Sequence, residues 1–207
     1  MMKEAIQLVF YNQGLRSYIE VDLCARCPRQ DDKGCCGYYS PVFYNSDLAW
    51  MLEQAPELVR ELFSMEHLTI MDASVTVNQL VDEDSYLCRF HSREGGCRLP
   101  QHLRESVCRH FVCSGIDWQQ EADLVEWKYF FDQLTDYEIA LNQAIADRIA
   151  ALGLSLRNHQ QREIIFSLLP GIFKEESSNC PAFFASVPPE QKYIVYRHLT
   201  DRETWTL

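Results

Sequence analysis

Nine cysteines stand in a chain of 207 residues, and eight of them fall into two groups, Cys24, Cys27, Cys35 and Cys36, then Cys88, Cys97, Cys108 and Cys113. Thiols in that number hold metal, form disulfides or carry redox chemistry. Disulfides belong to exported chains. The opening stretch, MMKEAIQLVFYNQG, has one lysine, a short apolar run soon broken by Asn12, Gln13 and Gly14, and no small-residue cleavage site. It is a poor signal peptide, so the expected location is cytoplasmic and metal binding leads.

The spacings refine this. In Cys24-Ala25-Arg26-Cys27, two intervening residues let a tight turn bring both sulfurs to one metal at about 2.3 Å, the zinc–thiolate distance. Thioredoxin-type redox sites share the spacing, but they do not come with six further cysteines. Adjacent Cys35 and Cys36 point to opposite sides of an extended chain, so one metal takes both only in a turn, which Gly34 and Gly37 would permit. Otherwise the pair faces two metal centres. Cys88 and Cys97 flank a hairpin. Cys108 and Cys113 are five apart, about 140° around a helix, and share a metal only if the helix ends between them.

Charge follows the cysteines. Residues 24–36 carry a net +1 and residues 88–113 a net +3, from Arg89, Arg93, Arg98, Arg104 and Arg109 against Glu94 and Glu105, while the rest of the chain holds −15. Cationic neighbours would lower thiol pKa values and offset the −2 of a four-thiolate site on Zn²⁺ or [4Fe–4S]²⁺. A solvated face is the alternative. His91, His102 and His110 are minor candidates as ligands. Cys180 reads as a buried free thiol, the aromatics Trp127, Tyr129, Phe130, Phe131, Phe183 and Phe184 as core or interface, and Asp31-Asp32 and Asp82-Glu83-Asp84 as solvated loops. No catalytic residue is identified: the chain has no nucleophile elbow, P-loop or HExxH motif.

The elements that must position these thiols come next. A strand over 17–23 would deliver the chain into Cys24, and a second, interrupted by Pro41, would lie at a sheet edge. A helix capped by Asn45 or Ser46 and another beginning at Pro56 follow. Residues 68–77 and 86–90 read as strands, with Gly95-Gly96 turning the chain back to Cys97. Residues 101–112 read as one helix. Thr135 to Glu138 reads as a capping box opening a helix whose stripe Leu141, Ile145, Ile149 and Leu152 ends at Gly153. Asn158 would cap a helix ending at Leu169 before Pro170-Gly171, and Pro189 would open a last helix.

The ordered cysteines, with the run CRFHSREGGCRLPQHLRESVCRHFVC, resemble the CxxCxxCC (YkgJ-like) cysteine-cluster family, associated with zinc or iron chelation, over roughly residues 20–115. The spacer before Cys35-Cys36 is longer than the family name implies, and Leu99-Pro100 stands where Arg-Pro is common. The resemblance implies a thiolate-held iron or zinc site and no particular reaction. A related cysteine domain occurs in flagellin lysine-N-methylases, but this chain shows no Rossmann-type turn and no CxxxCxxC radical motif.

The expected architecture is α+β, with a cysteine-rich, metal-organised sheet and loop core over 1–116 and a helical region over 117–207 packed on it. The expected function is metal binding through up to eight thiolates (Cys24, Cys27, Cys35, Cys36, Cys88, Cys97, Cys108 and Cys113) in one or two sites, with zinc or iron, including [4Fe–4S], as cofactor. An iron–sulfur enzyme of methyl or electron transfer and a thiol-redox-sensing adaptor for a protein partner are the alternatives. A formal charge of −11 argues against nucleic acid and anionic lipid, and no apolar run approaches the roughly 20 residues of a membrane helix.

Overall fold

The computed structural model describes residues 3–26, 34–82, 85–92 and 96–199. The fold is α+β. In chain order the regular elements are β1 (Glu4–Tyr11), β2 (Tyr18–Val21), β3 (Val42–Tyr44), α1 (Asn45–Gln54), α2 (Pro56–Ser64), β4 (Leu68–Ile70), β5 (Ser74–Val77), β6 (Leu80–Asp82), β7 (Ser85–Leu87), α3 (Ser106–His110), α4 (Val125–Ala151), α5 (Arg162–Glu176) and β8 (Glu190–Arg197). All pairings are antiparallel: β2-β1-β8, β3-β5-β4 and the hairpin β6-β7.

Two apolar clusters divide the interior. The first joins α1, α2, β3 and β5 to Leu141, Ile145 and Ile149 of α4 and to Ile165, Leu169 and Ile172 of α5, with Cys88, Phe90, Leu99 and Leu103 along its border. The second packs Ile6, Leu8 and Phe10 of β1, Ile19 and Val195 against Trp118 and the opposite end of α4, Trp127 to Leu134. Helix α4 therefore serves both: its 27 residues span about 40 Å, one end in each cluster.

Several expectations change, each because a distant contact outweighs a local signal. Helix α4 runs straight through the expected capping box, since Trp127, Phe130, Phe131 and Leu134 extend the buried stripe a further two turns; Thr135 donates instead to the Phe131 carbonyl at 2.9 Å. Leu152 lies outside the stripe, exposed beside Gly153, whose φ of +70° ends the helix. Pro170 does not stop α5, because Leu169, Ile172 and Phe173 around it are buried. The expected last helix is strand β8, and it pairs along its whole length with β1, from Glu4 with Arg197 to Tyr11 with Glu190. Tyr193, Ile194, Val195 and Tyr196 suit a strand, and the open edge of β1 decides the matter. Residues 68–77 fold back on themselves as β4 and β5 rather than forming one strand. Helix α1 starts at Asn45, so neither Asn45 nor Ser46 is its cap; the cap residue is Tyr44, whose amide donates to Asp47, three residues after it, at 3.1 Å.

No helix among the described residues is long and apolar enough to cross a membrane. The alternation of β8 makes a test: Val195 is 2 % exposed and Ile194 50 %. Val195→Asp buries an unpaired charge and should cost roughly 3 kcal/mol or more, while Ile194→Asp should cost no more than about 1 kcal/mol in urea unfolding.

Candidate functional site

Five of the eight cysteines come together, from three stretches of chain. Cys35 and Cys36 lie on a 3₁₀ turn, Gly34–Gly37, which is the tight backbone that the flanking glycines allow. Cys88 follows β7, and its amide donates to the Cys36 carbonyl at 2.9 Å; Gln79 Nε2 donates to the same carbonyl at 3.1 Å. Cys97 faces His91 across an isolated bridge, where Ser92 N donates to Gly96 O at 2.8 Å and Gly96 has φ +74°. Cys108 sits in α3.

The thiols act on one another. Cys36 is hydrogen-bonded to both Cys35 and Cys88, and it holds its proton far more tightly than a free thiol. Those bonds in turn bring Cys35 down to about 7, helped by the Arg104 guanidinium, and Cys88 to about 7, in each case against burial. Burial pushes Cys97 up, opposed by Arg104. Burial, then the charge and hydrogen bond of Glu105, pushes Cys108 up. Cys35 contributes to the field at each of the other four.

Cys108 is placed by Glu105. That carboxylate, 1 % exposed, caps α3 by accepting from Val107 N at 3.0 Å and Cys108 N at 2.7 Å, and it bonds the Tyr39 hydroxyl. Burial, its largest influence, raises its pKa to about 6. The segment before it is clamped by three arginines. Arg104 Nε donates to Leu99 O at 2.9 Å. Arg16 donates to His102 O at 3.0 Å, to Arg104 O at 2.6 Å and to Asp47 at 2.7 Å. Arg109 donates to Arg104 O at 3.2 Å and Ser17 O at 2.8 Å and pairs with Glu138, which also accepts from Ser106. Both ion pairs are buried.

The expected continuous helix over 101–112 is thus two pieces, a 3₁₀ turn (Gln101–Leu103) and α3, because the Arg104 carbonyl turns aside to accept from two guanidiniums. Helix α3 ends at His110, with Phe111 as its C-cap, between Cys108 and Cys113. Cys113 packs against the second apolar cluster instead. Cys24 is exposed on a 3₁₀ turn, Asp22–Arg26, next to Leu23 of that cluster. Cys27, Arg93 and the pair Asp31-Asp32 lie outside the described residues.

The arginines do less for sulfur than their number implied. Arg109 goes to Glu138, Arg89 to the Glu66 carbonyl and Arg98 to the Arg89 carbonyl. Among the described arginines of this segment, Arg104 is the one whose charge lowers thiol pKa values. Two histidines also go elsewhere. Burial and Arg16 lower His102; burial, then Arg109 and Arg16, hold His110 well below the usual imidazole range, with its ring 4.9 Å from Phe131. Cys180 is exposed rather than buried, since it falls in the open link after α5. Trp127, Phe130 and Phe131 are core as expected, and Tyr129 is exposed.

Among the described residues, no three Cys, His, Asp or Glu side chains are grouped so as to hold a metal ion as they stand. Cys35, Cys36 and Cys88 are instead tied by S–H···S bonds and Cys108 to Glu105. Comparison with family models, curated proteins and solved structures finds no match for this chain.

The clamp can be tested. Arg109→Met leaves the Glu138 charge buried without its partner and should cost about 3–5 kcal/mol in urea unfolding, whereas Arg109→Met with Glu138→Leu should recover most of that. Glu105→Ala removes the α3 cap and should cost about 0.5–2 kcal/mol, with Glu105→Gln closer to the parent.

Proposed function

We propose that this protein binds metal through cysteine thiolates, with Cys35, Cys36, Cys88, Cys97 and Cys108 as the principal donor set for zinc or an iron–sulfur cluster. The observation that carries the reading is the meeting of five thiols from chain stretches up to 73 positions apart, beside the Arg104 guanidinium, whose charge favours the thiolates of Cys35 and Cys97. Soft sulfur donors select zinc, iron–sulfur clusters or Cu(I) over hard cations. The resemblance to the CxxCxxCC family supports zinc or iron. Cys24, Cys27 and Cys113 are left as candidates for a second site.

The donor chemistry fits such a group, and the positions of the side chains require adjustment. A bound metal would take the place of the Cys36 bonds to Cys35 and Cys88 and the Cys108 bond to Glu105, and each ligating thiol would give up its proton. The bound group would supply a link between residues 34–37 and 88–108. The chain's own residues hold the backbones in place: Arg104 fixes the 97–104 loop, Glu105 orients Cys108, and the Cys36–Cys88 backbone bond aligns two donors. Because the thiols lie along the border of the first apolar cluster while α4 and α5 supply buried residues to its interior, chelation should increase hydrogen exchange at 34–37 and 88–108 while α4 and α5 stay protected.

Anaerobic purification with elemental analysis tests the reading. The parent should carry at least one zinc or iron per chain, Cys36→Ser and Cys108→Ser should lower metal content and melting temperature together, and Cys180→Ser should change neither. Absence of metal from the parent, or full loading in both cluster variants, would overturn it. A broad absorption band near roughly 400 nm would assign a cluster rather than zinc.

A further inference from the structure

The five thiols are not equivalent, and one pair is joined twice. Cys36 and Cys88 share a direct thiol–thiol hydrogen bond and a backbone hydrogen bond of 2.9 Å from the Cys88 amide to the Cys36 carbonyl. A backbone bond between two residues sets them at the close approach that a disulfide needs, a Cα separation of about 4.4–6.8 Å. Cys35 and Cys36 also touch, but neighbouring Cα atoms are about 3.8 Å apart across a trans peptide, below that range. Cys108 feels the charge of Cys97, but its side-chain hydrogen bond is to Glu105. Cys36 is half-buried and Cys88 buried, and neither is bonded to another sulfur.

We infer that Cys36 and Cys88 form a reversible disulfide on oxidation, and that this dithiol gates the release of metal from the thiol cluster. The first half stands on thiol geometry alone; the second rests on the metal-binding reading. With a hydroperoxide as oxidant, one thiolate attacks a peroxide oxygen, breaking the O–O bond to give a sulfenic acid and, for hydrogen peroxide, one water after protonation. The second thiolate then displaces hydroxide from that sulfur, forming S–S as S–O breaks, and a second water leaves. The two thiols lose two electrons and two protons, and the peroxide gains them. Closure removes two of the five donors, and residues 36 and 88 lie on two of the three converging stretches, so a four-thiolate site cannot be completed from the remaining Cys35, Cys97 and Cys108.

The test oxidises the full chain with one equivalent of hydrogen peroxide, once as reduced, chelator-treated protein and once as the metal-loaded form with a chromophoric chelator present. Non-reducing peptide mapping of the metal-free sample should show a Cys36–Cys88 cross-link, the loss of two titratable thiols, and return of both with dithiothreitol; Cys180→Ser should give the same map. In the loaded sample, metal should appear on the chelator in step with the cross-link, at a rate at least tenfold above the untreated control. Cross-links confined to other pairs, or sulfinic acid without a cross-link, would overturn the dithiol assignment. A Cys36–Cys88 cross-link with metal retained would overturn the gating. Failure of the parent to hold metal would instead overturn the metal reading, and the gating with it, while the map still decides the dithiol.

Discussion

The arrangement of this molecule turns on one carbonyl. The backbone oxygen of Arg104 accepts from the guanidiniums of both Arg16 and Arg109, and each of those is neutralised by a buried carboxylate, Asp47 on α1 and Glu138 on α4. Around that point meet the turn after β1, the first turn of α1, the middle of α4 and the segment that carries Cys97 and Cys108. Replacing a buried ion pair with matched apolar side chains is often neutral for stability, so the gain here lies in placement: a charge without its partner is costly, which disfavours other registers of the 97–110 segment. The site inherits its geometry from this constraint. Moving Arg104 moves the loop behind it, the Glu105 cap and the Cys108 thiol together.

The same point is where the two apolar clusters divide. Glu138 lies on α4 between Leu134 of one cluster and Leu141 of the other. A polar residue at the waist of a long helix would be costly without partners; Arg109 and Ser106 supply them from α3. The thiols gather on the first cluster's border, where Cys88 is a core member and Cys36 and Cys97 pack against it. Burial there explains why Cys97 and Cys108 resist ionisation and why the S–H···S bonds to Cys36 matter for Cys35 and Cys88.

What the sequence disclosed was local. The two glycines around Cys35-Cys36 allowed the tight turn that is found there, Pro56 opened α2, and the Leu141, Ile145 and Ile149 stripe was a helix face, because each of those signals is decided within a turn or two of chain. The long-range partners were not legible. Nothing in the local pattern links Arg16 to Asp47 or Arg109 to Glu138, and two of the arginines that looked like counter-ions for thiolate, Arg89 and Arg109, were claimed by a carbonyl and a carboxylate far along the chain. Strand β8 failed for the same reason: Pro189 is a good helix opener, and only the unpaired edge of β1, nearly the whole chain length away, makes residues 190–197 extended. Glu105 was countable as a charge against the arginines, but its role as cap and as partner of Cys108 and Tyr39 depends on the break at Arg104. Cys35, Cys36, Cys88, Cys97 and Cys108 come together in the fold, while Cys113 sits on the other cluster, a division that spacing alone left open.

The central claim, that converging sulfurs are the metal donors, is tested most directly by X-ray absorption at the edge of whatever metal the anaerobically isolated protein carries. The account predicts a first coordination shell dominated by sulfur at about 2.3 Å. A shell made only of nitrogen and oxygen would contradict it.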